Sequence, residues 1–256
     1  MPTHHGSRKN ESNQIKQPHF RYTSPSVTRP KYNPCETPNY SIEEGSKYLH
    51  VPESTIRYWI IGEPGAAPLT TVYSRSPLLL SFKNLVECYV LESLRHTHDI
   101  GLGRIRKDVE ELRREKPSKY PLADYQLATR GRKIYLEGEG DELVSLTAGG
   151  QHAFKEILDP FLKRVDRNTR GIAERLFPFT RIEHQKSPVD APRIVVIDPN
   201  VAFGKPVLVG SRISTSFLLS RKRGGASIRQ LADDYGRTQE EIEEAIYLEE
   251  VHKAAA

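Results

Sequence analysis

Between residues 40 and 60 apolar side chains recur at helical spacing, but only in two short runs broken at His50-Val51-Pro52. That pattern restricts the segment to a pair of short helices joined by a tight turn. Ser41 and Glu44 stand at the spacing of a capping box, so the first helix starts at Ser41. On it Ile42 and Leu49 face inward, and Ser46 is small enough for a second helix to cross closely. On the second helix Ile56 and Ile60 share the buried side. Glu53, Ser54, Thr55, Arg57 and Tyr58 are left at exposed or edge positions near its N-terminus. Gly62-Glu63-Pro64-Gly65 then ends the pair in a loop.

Helices so arranged have helix-turn-helix geometry, in which the first turns of the second helix enter a DNA major groove. Short hydroxyls reach phosphates or base edges, and a guanidinium pairs guanine bidentately. Ser54, Thr55, Arg57 and Tyr58 are therefore the candidate DNA-binding residues. Residues 69–73 are β-prone and Ser74-Arg75-Ser76-Pro77 reads as a turn, so a small wing is expected, with Arg75 a candidate phosphate contact. Ser81 caps a long helix with Leu85, Val86, Val90, Leu91 and Leu94 at helical spacing. After a break at 99–103 a further helix places Ile105, Val109 and Leu112 inward. The formal net charge of +5 leans toward the front: eight Lys/Arg against five Asp/Glu in residues 1–60, 21 against 19 in 61–190, and nine against nine in 191–256.

The expected fold class is α+β, mainly helical, in four stretches. Residues 1–37 have few aliphatic side chains and prolines at 18, 25, 30 and 34, too little apolar area to offset chain entropy, and read as a disordered arm. Residues 38–118 hold the winged helix-turn-helix. Residues 119–182 form a mixed α/β segment with strands over 133–136 and 143–146 and a helix from 151 to about 165. Pro178, Pro188 and Pro192 mark a linker over 178–192. Residues 193–256 form a helical C-terminal domain, with a strand at 193–197 and helices over 214–223, 227–235 and 238–252; Ser227 and Thr238 are its N-caps, and Thr238 with Glu241 forms a capping box. The last two helices repeat the helix-turn-helix pattern. However, the final one carries Glu240, Glu241, Glu243, Glu244, Glu249 and Glu250 with no cation before Lys253, so phosphates repel it. Its apolar side suits self-association or packing within the chain, and Ile242, Ala245 and Ile246 are the candidate self-association residues.

Cys35 and Cys88 are too few and too far apart for a disulfide framework or a zinc site, so reduced thiols in a cytoplasm are expected. His96, His98 and Asp99 read as a solvated helix end rather than metal ligands. No run of about 18 apolar residues and no signal-peptide core occurs, so neither membrane insertion nor export is expected. Gly204-Lys205-Pro206 lacks the spacing of a phosphate loop, Arg221-Lys222-Arg223 reads as a solvated helix end, and no nucleophile-base pattern stands out. No enzyme, cofactor or metal is expected.

The string Ser54-Thr55-Ile56-Arg57-Tyr58-Trp59 resembles the opening of the recognition helix in MerR-type regulators and excisionases. That family usually has Gly where His50 stands, at positive φ, and a capping Ser where Pro52 stands; both departures are expected to loosen the turn. Residues 197–215, with Gly204-Lys205-Pro206 and Gly210-Ser211-Arg212-Ile213, resemble the start of a small helical domain of formally unknown function. Leu231-Ala232-Asp233-Asp234-Tyr235 and Glu241-Ile242-Glu243-Glu244-Ala245-Ile246 continue that match. The combination resembles VapB-type antitoxins. The resemblance implies a partner, a PIN-like metal-dependent ribonuclease toxin, and autorepression at double-stranded operator DNA as a homodimer or higher oligomer. A stand-alone MerR-like transcription regulator and a protein-interaction adaptor without DNA binding are the alternatives.

Overall fold

A computed structural model describes residues 32–71, 74–97, 101–125, 127–130, 133–137, 142–145, 152–154, 161–186 and 190–250. The arm expected over residues 1–37 lies outside these up to residue 31. Asn33 to Thr37 form a hydrogen-bonded turn whose Cys35 carbonyl accepts from the Lys83 amide at 3.0 Å. Helix α1, Ile42–Leu49, begins at Ser41, and the capping box is formed: the Ser41 hydroxyl accepts from the Glu44 amide, and the Glu44 carboxylate accepts from the Ser41 amide. Ile42, Ser46 and Leu49 are buried as the spacing requires. Helix α2, Glu53–Ile61, buries Ile56, Trp59 and Ile60.

The turn between α1 and α2 accommodates both departures from the family pattern. His50 adopts the left-handed conformation, φ 53° and ψ 37°, in which its amide caps α1 on the Ser46 carbonyl. A Cβ in that region costs about 1–2 kcal/mol, and here the side chain offsets it, since Nε2 lies 2.8 Å from the Phe179 carbonyl oxygen. Pro52 caps α2 through its backbone alone: its carbonyl accepts from the amides of Thr55 at 2.9 Å and Ile56 at 3.1 Å.

Residues 69–71 of the stretch expected as a strand over 69–73 are not in one, and 72 and 73 lie outside the described residues. The hairpin consists of β2, Ser74–Arg75, and β3, Leu78–Leu80, and β1, Tyr40–Ser41, pairs with β3 to give the order β1-β3-β2. The Leu69 and Thr70 amides donate to the Trp59 carbonyl, closing the C-terminal end of α2, so these groups do not enter a ladder. Helix α3, Phe82–Glu92, is buried from Phe82 to Leu91 and passes into a π turn at Ser93–Thr97. Helix α4, Leu102–Glu115, buries Ile105, Val109 and Leu112, and α5, Pro121–Asp124, packs on α3. His98 and Asp99 lie outside the described residues.

Four antiparallel strands follow in sequence order: β4, Leu127–Arg130; β5, Lys133–Glu137; β6, Glu142–Ser145; and β7, His152–Phe154. The helix expected over 151–165 is replaced at its described ends, and Leu162–Arg164 form a 3-10 turn; residues 151 and 155–160 lie outside the described residues. Residues 152–154 pair with β6, and Val165–Arg167 (β8) pairs with Ala173–Leu176 (β9). The helical spacing of its apolar residues is overridden because both ends find strand partners. The expected linker over 178–192 is also corrected in part: Pro178, Phe179 and Thr180 are buried, and α6 spans Ile182–Lys186. The reason is Arg164. Its guanidinium is buried and donates to the carbonyls of Phe177, Pro178, Ala191 and Pro192 at 2.8–3.2 Å, and lies 4.3 Å from the Phe179 ring centroid. Burial lowers its pKa to about 10, and its fork of donors satisfies carbonyls in proline-rich chain.

Strands β10, Val195–Val196, and β11, Val207–Leu208, pair antiparallel, and Ile197 bridges back to Leu176. Helices α7, Thr215–Arg223; α8, Ile228–Tyr235; and α9, Gln239–Glu250, close the chain, with Ser214, Ser227 and the Thr238–Glu241 capping box at their starts. One continuous cluster of buried side chains runs from Tyr40 to Leu248.

Glu87, on α3, is fully buried. Its carboxyl accepts from the Thr70 hydroxyl and, at 3.2 Å, from the Leu122 amide, and it faces Arg113 and Asp124. Burial raises its pKa from 4.5 to about 8. A raised carboxyl binds its proton more tightly when folded, so its stabilisation is complete below the unfolded value and lost as pH climbs toward about 8. Melting temperature should therefore fall by several degrees between about pH 5 and 8 in the wild type and less in Glu87→Gln; parallel profiles would assign the loss to another group. At the α1–α2 turn, His50→Ala should cost about 1–3 kcal/mol in urea unfolding, and His50→Gly less, because glycine relieves the left-handed backbone. Equal losses would leave the side-chain contact as the only contribution.

Candidate nucleic-acid interface

Helix α2 divides by register. Ile56, Trp59 and Ile60 are buried, whereas Ser54 and Arg57 are exposed and Thr55 is half-buried on the opposite side. Ser54, Thr55 and Arg57 thus lie together on the outward side of the helix's first two turns. The Arg57 guanidinium lies 3.5 Å from Glu53 one turn earlier, with both side chains about half exposed at 50% and 42%. An exposed pair at this spacing contributes about 0.3–0.5 kcal/mol, so Glu53 holds Arg57 only weakly against a phosphate or a guanine edge.

Tyr58 is placed differently. Its hydroxyl donates to Glu63 at 3.3 Å and accepts from Arg106 at 3.1 Å, and the Arg106 guanidinium stands 5.5 Å from its ring centroid. Arg106 also donates to the Ala67 carbonyl, so one α4 side chain ties α2 to the loop that leads into the hairpin. Tyr58 therefore sits at the edge of the α2 surface, braced by α4. Arg75 stands on β2, in register with Leu78. Arg106 escaped the sequence reading because its partners are 39 and 48 residues away and its own helix gives no sign of them.

The C-terminal segment fixes α1 from behind. Lys47 pairs with Glu249 of α9, whose other carboxylate oxygen accepts from the Thr215 hydroxyl at 2.5 Å. Lys205 pairs with Glu44 at 2.6 Å, and the Tyr40 hydroxyl donates to the Gly204 carbonyl at 2.8 Å. Gln185 of α6 donates to the Leu49 carbonyl at 3.3 Å. On α9, Glu244 accepts from the Thr180 hydroxyl and from Arg181, whose guanidinium also covers the Tyr247 ring at 4.3 Å. Two of the acidic side chains expected to repel DNA are thus engaged within the chain.

Ile242, Ala245 and Ile246, read from the sequence as self-association residues, are corrected here. They are 0%, 0% and 1% exposed and belong to the core that also holds Leu218 and Leu231. Self-association through them would require opening that core. Among the described residues no helix is long and apolar enough to cross a membrane, and no group of three or more His, Cys, Asp or Glu is placed to hold a metal ion.

Comparison with known proteins extends this picture. Residues 195–247 match the family described as "Protein of unknown function (DUF433)". A Mycobacterium tuberculosis protein named "Putative antitoxin VapB45" is 28% identical over 234 residues, covering 82% of this chain and 93% of that protein. "Uncharacterized protein Rv2308" of the same organism is 28% identical over 218 residues, covering 81% and 88%. The X-ray crystal structure of Rv2018 from Mycobacterium tuberculosis superposes with a TM-score of 0.55 at 25% identity, covering 82% of this chain and 98% of that one. The chain therefore matches the DUF433 model over the stretch from β10 into α9 and is similar, over most of its length, to a protein named as an antitoxin and to a solved mycobacterial fold.

Proposed function

We propose that this chain is the antitoxin of a type II toxin–antitoxin pair, which neutralises a PIN-like ribonuclease toxin and represses its own operator. The observation that carries the reading is the extent of the similarity to the antitoxin-named relative: at 82% of this chain and 93% of that one, it reaches well beyond the DUF433 segment. On this reading α1 and α2 act as a MerR-like winged helix-turn-helix with the β2–β3 hairpin as its wing. Ser54, Thr55 and Arg57 contact double-stranded operator DNA, Tyr58 is held at the groove edge by Arg106, and Arg75 contacts a phosphate. Two protomers read a repeated half-site. The protein acts in the cytoplasm, without a cofactor and without catalysing a reaction of its own.

Co-expression with the product of the adjacent gene tests the antitoxin role. The chain should rescue growth and co-purify with that product; neither rescue nor complex would overturn the reading. Arg57→Ala should weaken specific operator binding by about 1–3 kcal/mol, measured by mobility shift against a scrambled duplex. Unchanged affinity would remove Arg57 from the DNA contact.

A further inference from the structure

Helix α2 carries two charged residues, Glu53 at its first position and Arg57 one turn later, and both reach solvent beside the exposed Ser54. The cation agrees with a helix that meets duplex DNA, and the carboxylate opposes it. A negative charge on the leading turn is repelled by a duplex that carries a phosphate charge about every 1.7 Å along its axis. Backbone capping does not account for Glu53. At α1 the Glu44 carboxylate accepts from the Ser41 amide three residues earlier. Helix α2 instead starts at Pro52, which has no amide hydrogen to offer, and Glu53 stands one residue after it. The ion-pair partner of Glu53 is Arg57, in an exposed pair that solvent weakens.

The spacing of the two side-chain ends fits a base-pair step. The guanidinium nitrogen and the carboxylate oxygen lie 3.5 Å apart, and successive bases of one strand rise by about 3.4 Å. In the major groove guanine offers two acceptors to an arginine, and cytosine offers its N4 amino group as a donor. Adenine sets the N7 acceptor beside its N6 amino group. A carboxylate therefore accepts from cytosine unopposed, whereas at adenine it also meets the N7 lone pair. At the start of α2 it costs affinity on every sequence that does not present such an amino group, and so turns the general attraction of Arg57 for DNA into a choice between bases.

We infer that Glu53 is a specificity-determining residue of the α2 surface: its carboxylate accepts from the N4 amino group of a cytosine while Arg57 pairs a guanine of the adjoining base pair. The half-site then holds two successive G·C or C·G pairs under the start of α2. The inference rests on the operator-binding reading above.

The test uses the full chain and short duplexes tiled across the DNA upstream of its own gene, with fluorescence anisotropy as the readout. Each base pair of the tightest-bound duplex is then exchanged in turn. In the wild type, exchange of one C·G pair for T·A should weaken binding at least about tenfold, beside a guanine whose exchange costs as much in the wild type and nothing in Arg57→Ala. Glu53→Ala should remove the penalty at the cytosine and keep the one at the guanine. Glu53→Gln should move the preference at the cytosine toward A·T, because an amide pairs adenine N6 and N7 together. A pattern of penalties unchanged in Glu53→Ala, or an affinity that rises equally on all duplexes, would overturn the inference and leave operator binding standing. An equal loss on all duplexes with a lower melting temperature would overturn it too, assigning Glu53 to the stability of the helix start. A wild-type chain without preference among the duplexes would remove the inference and the operator-binding reading together.

Discussion

The Glu249 side chain is 4% exposed, and the arrangement of the first helix pair depends on what it touches. Its carboxylate is shared by Lys47 of α1 and Thr215 at the start of α7, so one anion joins the first and last thirds of the chain. A carboxylate so deeply placed is tolerable only because both oxygens are partnered. Glu44 and Lys205 repeat the connection nearer the surface, and Tyr40 with Gly204 extends it to the sheet. The acidic last helix thereby becomes part of the support for α1, with the outward side of α2 left open.

Charged side chains also enter the interior elsewhere. Arg164 is buried on backbone carbonyls, Glu87 on a hydroxyl and an amide, and Lys83 lies between Glu36 at 3.0 Å and Asp124 at 2.8 Å. Each of these groups joins stretches with little regular structure of their own: the proline-rich chain on either side of α6, the residues leading into the hairpin, and the turn ahead of β1. Such stretches have few ladder partners, and charged side chains with several donors or acceptors satisfy them in one place.

Much of the helical framework was legible in the sequence because its signals are local. Ser41 with Glu44, Ser81, Ser227 and Thr238 with Glu241 begin helices where their spacing says they should, and the inward positions Ile56, Ile60, Ile105, Val109 and Leu112 are buried. The outward side of α2 was readable for the same reason, since burial of Ile56 and Ile60 leaves Ser54 and Arg57 exposed. The failures are equally physical. Residues 151–165 have helical spacing, but at the described ends 152–154 and Val165 are drawn into strands, and residues 69–71 are β-prone but close the end of α2.

The sequence by itself determined where most helices start, which of their sides are apolar, and how acidic the last helix is. Only the tertiary structure decided that His50 can stand in a left-handed turn, that Tyr58 is braced by Arg106, and that Ile242, Ala245 and Ile246 lie inside the chain's own core. It alone also shows that Phe203, in the middle of an apolar stretch, points into solvent. The physical reason is range. Caps and periodicity act within a few residues, whereas each of these outcomes rests on groups that only the folded chain brings together, as Tyr40 and Gly204 meet across 164 residues.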